Sequence, residues 1–166
     1  MKFYRKGKWI AGIAALMVLC LTAANGLHAQ DADTFISEEY EQYCQEAGAQ
    51  YGICPELLMA IMEAESSGNS SAANGSCKGL MQINQNYHKD RMECLGVTDI
   101  YDGRSNVMLA ADYLSELFLK YQDPGTVLMV YNGSKDAVKR GERGDYTAYA
   151  TGILERSAQL ERMHGK

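Results

Sequence analysis

Basic residues are scarce beside acidic ones in this 166-residue chain: 16 Lys and Arg stand against 21 Asp and Glu, for a formal charge of −5. A nucleic-acid binder carries the opposite sign as a rule, so that class is set aside. Only two prolines occur, and there is no internal repeat or low-complexity tract, which excludes a Pro-rich spacer or a repeat array. Tryptophan occurs once, as Trp9, in the leading segment, so any aromatic platform in the domain must use Tyr or Phe. No two of the five cysteines have CxxC spacing, and His88 stands without a partner nearby. No metal and no cofactor is therefore expected.

What is present fits one globular domain, with 46% hydrophobic and 22% charged residues. Lys2, Arg5, Lys6 and Lys8 precede an uncharged stretch from Trp9 to Leu27, the form of a secretory signal. Cleavage after Ala29 and cleavage after Gly26 both stay open, as does retention as an N-terminal anchor, because the apolar run approaches the ~18–20 residues a bilayer needs. Cys20 follows Met17-Val18-Leu19 without the small residue that lipid attachment wants. The expected organisation is a signal or anchor over residues 1–29, a spacer over 30–36 and one domain over 37–166, exported to the cell-wall side. Removing residues 1–29 takes four basic and no acidic residues, which moves the formal charge from −5 to −9. Cys44, Cys54, Cys77 and Cys94 then remain. An even count outside the cytoplasm suggests two disulfides in one of three connectivities, the shortest loops joining Cys77 to Cys94 and Cys44 to Cys54.

Ser37-Glu38-Glu39 reads as a helix start, a capping hydroxyl followed by first-turn acids, and Gly52 is placed to end that helix. Pro55 opens a second helix through Glu65. Ser66 to Ser76 reads as loop, with Asn74-Gly75 a tight turn. Gly79 to Asn84 is either a strand fragment or the start of a helix. Amphipathic spacing predicts helices over Asn106–Tyr121, Thr126–Tyr131 and about Tyr146–Leu160. The fold class is mainly α with at most a small β element.

At about 100° per residue, Leu57, Leu58, Ile61 and Met62 share one side of the second helix, and Glu65 falls near the middle of that arc. Glu63 and Glu56 fall nearly opposite and are expected to be solvated. Burial disfavours a carboxylate and raises its pKa, the condition for an acid that keeps its proton near neutral pH. A structural ion pair of Glu65 with an Arg or Lys explains the pattern equally well.

Ala60-Ile61-Met62-Glu63-Ala64-Glu65-Ser66-Ser67-Gly68-Asn69, Gly79-Leu80-Met81-Gln82-Ile83, Asn106 with Tyr113-Leu114, and Val130-Tyr131-Asn132-Gly133 follow one another in order. Together, over roughly residues 40–155, they resemble the soluble lytic transglycosylase family. The resemblance implies a lysozyme-like helical domain whose cleft holds peptidoglycan glycan strands, with Glu65 at the position of the catalytic acid. Ser66 and Gln82 match cleft-lining positions, Tyr131 and Asn132 match the pair that positions catalyst and substrate, and Tyr149 looks like the later cleft tyrosine. Val130, Gly133-Ser134 and Ala111 depart from the family's usual residues, which touches local backbone shape and not the catalyst. Apart from the resemblance, Leu80, Met81 and Ile83 read as core, Tyr131 as a core aromatic with a capped hydroxyl, Asn132 as a turn residue, and His88-Lys89-Asp90-Arg91 as a solvated helix face.

Most glycosidases use two carboxylates, but only Glu65 lies in a motif. Asp99, Asp102 and Asp112 are candidates for a second. The resemblance implies a one-acid reaction instead, in which the muramic sugar supplies its acetamido oxygen and its 6-hydroxyl and leaves a 1,6-anhydro end. Two alternatives stand beside it. One is a goose-type lysozyme-like hydrolase, which would leave reducing ends. The other is a non-catalytic wall-binding component of an envelope-spanning secretion or conjugation machine.

Overall fold

The computed structural model describes residues 36–166. The expected signal or anchor, its cut sites and Cys20 lie outside the described residues. Among the described residues, no helix is long and apolar enough to cross a membrane.

Helix α1 (Glu38–Tyr51) begins where expected: the Ser37 hydroxyl accepts from the Tyr40 amide, and Gly52 closes the helix at φ 68°. A left-handed residue there costs glycine little, because it has no Cβ to clash. Gly48 serves a different purpose. A Cβ on it would lie 2.6 Å from the Ile53 carbonyl oxygen, so the chain can double back closely into α2 (Pro55–Ser66) only over a glycine. Pro55 is the first residue of α2, where its missing N–H is no loss.

Helix α2 is the centre of the molecule. Every residue from Glu56 to Met62 is buried, because α1 packs on one side and α7 on another. After α2, Ala73–Asn74 (β1), Cys77–Lys78 (β2) and Ile83–Asn84 (β3) form a small antiparallel sheet in the order β1-β2-β3. The register pairs Asn74 with Cys77 around Gly75 at φ 57°, so the expected turn is present with short strands on either side. The 79–84 segment ends as a strand rather than a helix. Leu80, Met81 and Ile83 are core residues, as their apolar character suggested.

Helix α3 (Lys89–Leu95) has no buried residue. The long α4 (Gly103–Tyr121) is capped by Asp102, which accepts from the Ser105 amide at 2.9 Å. Asp123 caps α5 (Pro124–Tyr131), which has Pro124 at its first position. A five-residue helix, α6 (Ala137–Gly141), precedes α7 (Ala148–Met163), whose cap is Thr147. Among the described residues, seven helices and a small sheet bear out the mainly α, lysozyme-like class. Leu58, Ile61, Met62, Leu109, Leu128 and Leu160, all fully enclosed, form the heart of a core drawn from α2, α4, α5 and α7.

Two expectations are corrected. Glu56 is not a surface acid but only 1% exposed; His164 Nδ1 lies 2.9 Å and Lys166 Nζ 2.7 Å from its Oε1. Glu63 is held by Arg156 of α7 in a two-pronged ion pair at 2.6 and 2.9 Å. Both corrections arise because α7 and the tail cover the side of α2 that one-sided periodicity assigns to water. No disulfide joins Cys44, Cys54, Cys77 and Cys94 among the described residues, so the expected pairing is not shown. Cys44 points into the core, whereas the Cys54 thiol lies in an exposed turn and donates to Glu56 Oε2 at 3.1 Å.

Candidate active site

Glu65 sits in the last turn of α2, half-buried, where the apolar arc brings it against the core. Burial pushes its carboxyl above the ordinary range, and a hydrogen bond from Tyr149 partly offsets that rise. The Tyr149 hydroxyl, carried by the first turn of α7, donates to Glu65 Oε1 at 2.5 Å. Among the described residues no ion pair holds Glu65, and it is its neighbour Glu63 that is in a salt bridge, with Arg156.

Tyr131 closes α5 and turns its hydroxyl to the Met81 carbonyl, 2.8 Å away. Burial and the nearby Glu65 charge hold its phenol well above the usual tyrosine range. Met81 is in turn fixed by Asn106, whose Oδ1 accepts from the Met81 amide at 2.8 Å. The Asn106 amide nitrogen donates to the carbonyls of Lys78 and Ile100 at 3.1 and 2.9 Å. Asn106 is fully buried and all its polar atoms are used, which locks the β2–β3 connection to α4. Gly79 leaves room for it: at φ 76°, a Cβ there would meet Asn106 Nδ2 at 2.5 Å. Gln82 next in line has φ 46°, a conformation that strains a non-glycine residue. Its amide donates to the Gly79 and Ala72 carbonyls at 3.0 and 3.2 Å and holds that strain in place.

A cleft of about 570 Å³ gathers Gln82, Tyr131 and Asn132 with Tyr87, His88, Arg91 and Tyr113. A groove of about 410 Å³ between α2 and α7 is lined by Tyr149, Glu63 and Arg156. Glu65 itself lines neither cavity; it is tied to the groove through Tyr149 and its charge acts on Tyr131 of the cleft. Of the sequence-expected residues, Gln82, Tyr131 and Asn132 share the cleft, and Tyr149 lines the groove and bonds to Glu65. Ser66 instead bonds back along its own helix, its hydroxyl donating to the Met62 carbonyl at 3.3 Å. Asn132 lines the cleft while also ending α5.

The candidate second carboxylates are engaged elsewhere. Asp99 accepts from the Tyr101 amide, Asp102 caps α4, and Asp112 is in a close ion pair with Arg91. Arg91 also pairs with Glu116 and lies over the Tyr113 ring, 5.4 Å from its centroid. His88 packs against the same ring, 4.5 Å between centroids. The solvated face expected over 88–91 is therefore true of Lys89 and Asp90 only. Among the described residues, no group of three or more His, Cys, Asp or Glu side chains is placed to hold a metal ion.

Asn106, His88, Arg91 and Tyr113 received no site role from the sequence. Asn106 had a readable signal: it is a polar residue in register with Ala110, Tyr113 and Leu117 on an otherwise apolar stripe.

Residues 42–153 match the family model described as the transglycosylase SLT domain. The chain belongs to this family. A transglycosylase of Enterobacteria phage PRD1 is 35% identical over 98 residues, covering 58% of this chain and 36% of the phage protein. Membrane-bound lytic murein transglycosylase C of Serratia proteamaculans is 31% identical over 134 residues, covering 71% of this chain and 37% of the relative. Protein IpgF of Shigella flexneri is 33% identical over 108 residues, 60% of this chain and 70% of IpgF. The chain therefore spans little more than a third of the first two relatives. Among solved structures, an inactive mutant of the lytic transglycosylase Slt from Pseudomonas aeruginosa superposes with a TM-score of 0.61 at 17% identity, over 75% of this chain and 24% of Slt. That likeness establishes a shared fold.

Proposed function

We propose that this SLT domain is a peptidoglycan lytic transglycosylase. It cleaves the β-1,4 bond between N-acetylmuramic acid and N-acetylglucosamine and leaves a 1,6-anhydromuramic end. The observation that carries the reading is Glu65 itself: a half-buried acid, biased toward its protonated form, touched by a tyrosine hydroxyl and not by a second carboxylate. Family membership and the motif positions support the substrate class.

In this reading neutral Glu65 gives its proton to the glycosidic oxygen as the bond to C1 breaks, and the acetamido oxygen of the muramic sugar stabilises the positive charge at C1. Glu65, now a carboxylate, takes the proton of the 6-hydroxyl as that oxygen bonds to C1. The acid is restored and no water is consumed. Tyr149 donates to the carboxylate while it is charged, and Tyr131, fixed through Met81 and Asn106, shapes the opposite wall. The basic-then-apolar N-terminus supports action outside the cytoplasmic membrane, by export or by anchoring.

The test is the product. Purified peptidoglycan digested with the protein and analysed by mass spectrometry is expected to show anhydro ends, and Glu65→Gln to show none. Reducing ends, one water heavier, would move the assignment to a hydrolase. Binding without cleavage by the unmodified protein would leave a wall-binding component.

A further inference from the structure

Tyr87 is the feature that the proposed chemistry does not use. Its side chain is 84% exposed, an unusual setting for a large ring unless something covers it. Other large apolar side chains are exposed too, Leu119 to the same extent, but Tyr87 lines the same cleft as Gln82, Tyr131 and Asn132.

The backbone beneath it is fastened. The Tyr87 amide donates to the Asn84 carbonyl at 3.1 Å. Its neighbour Asn86 is held twice, from its amide to Asn84 Oδ1 at 3.1 Å and from its side chain to Ser76 Oγ at 2.8 Å. The ring is thus presented to the cleft from a fixed turn. Deeper in, the cleft holds a continuous row of rings: His88 on Tyr113 at 4.5 Å, then Tyr113 to Tyr131 at 5.8 Å. Arg91 lies over Tyr113. The row ends at Tyr131, beside the acid. Its inner members are spoken for by protein contacts, and Tyr87 at the rim is the one whose face is free. A β-linked amino sugar has an apolar C–H face and polar edges. An exposed aromatic face, with no tryptophan among the described residues, suits that surface.

We propose that Tyr87 is a sugar-stacking platform that holds a ring of the glycan strand away from the cleaved bond, so that the cleft favours longer strands over short ones. This rests on the reading of Glu65 as the catalytic acid in a glycan-binding cleft, and its test separates the two. The probes are chito-oligosaccharides of two to six units, titrated calorimetrically into the Glu65→Gln protein with and without Tyr87→Ala or Tyr87→Trp. The expected result is that Tyr87→Ala weakens the longest oligomer about tenfold and leaves the shortest unchanged, while Tyr87→Trp matches or exceeds the parent. Equal affinities of parent and Tyr87→Ala at every length overturn the platform and leave the Glu65 reading intact. If the unmodified protein neither binds the oligomers nor cleaves peptidoglycan, the underlying reading fails and takes the platform with it. Tyr87 is too exposed for its truncation to unfold the domain, and circular dichroism of Tyr87→Ala checks this.

Discussion

The hydroxyl of Tyr149, from the first turn of α7, donates to Glu65 Oε1 across 84 positions of sequence at 2.5 Å. The same contact works in opposite directions on its two partners. It holds the Glu65 carboxyl lower than burial alone would, and with burial and the Glu65 charge it drives the Tyr149 phenol far above its ordinary range. Tyr149 is therefore a fixed donor at any physiological pH, and Glu65 is the member of the pair that titrates.

Tyr149→Phe removes the donor and keeps the ring. Because the hydrogen bond lowers the Glu65 pKa, its loss lets the acid keep its proton to higher pH. The alkaline limb of the pH–rate profile is expected to move up. The maximal rate is expected to fall about tenfold, since one charge-assisted hydrogen bond to the spent carboxylate is lost. Turnover of purified peptidoglycan across pH 4 to 9 reads both effects.

Glu65→Gln is expected to stabilise the fold at neutral pH while abolishing cleavage. The folded-state pKa of Glu65 is raised, so between its unfolded and folded values the native state binds more protons than the unfolded chain. Stability due to this group is fully present below the unfolded pKa and is lost as pH rises through the folded one. Gln never ionises and escapes that loss. Thermal unfolding of both proteins should therefore show the variant melting higher at pH 8, with the gap closing toward pH 4.

Asn106→Ala strips partners from the Met81 amide and from the Lys78 and Ile100 carbonyls at once. Leaving such groups unsatisfied in a dry interior is expected to cost about 3 kcal/mol. Because Met81 carries the carbonyl that receives Tyr131, cleavage should fall by more than the folded fraction does. Urea unfolding together with rates per folded molecule separates the two losses.

The periodicity of α2 placed Glu65 correctly and misplaced Glu56 and Glu63, and one physical fact explains both outcomes. A one-sided apolar arc assumes water on the other side, whereas α1 and α7 both pack on α2. The partners of Glu63 and Glu56 are Arg156, His164 and Lys166, far along the chain, where no local pattern announces them. Helix starts were legible because their signals are local: Ser37 and Pro55 act within one turn. Helix α6, at five residues, is shorter than any periodicity can register. The His88–Tyr113–Tyr131 row was invisible for another reason, since its members belong to a turn and two helices that meet only in the fold.

Glu56 makes the last prediction, because it ties the end of the chain to the helix that carries the acid. Burial alone would raise its carboxyl, but hydrogen bonds from Lys166, His164 and Cys54 outweigh that and bring it down to about 2. A depressed carboxylate contributes stability that is present above its unfolded pKa and is lost as pH falls through the folded one, here between roughly pH 4.5 and 2. Truncation of residues 164–166 leaves the carboxylate enclosed without Lys166 and His164. It is expected to cost about 2–3 kcal/mol at pH 7, an unpaired buried charge being worth more than the exposed halves of the pair suggest. Glu56→Gln combined with the truncation should cost less than the truncation alone, because the amide has no charge to strand. Urea unfolding of the three variants at pH 7 measures this, and equal losses for the truncation with and without Glu56→Gln would show that the tail acts by packing rather than by charge.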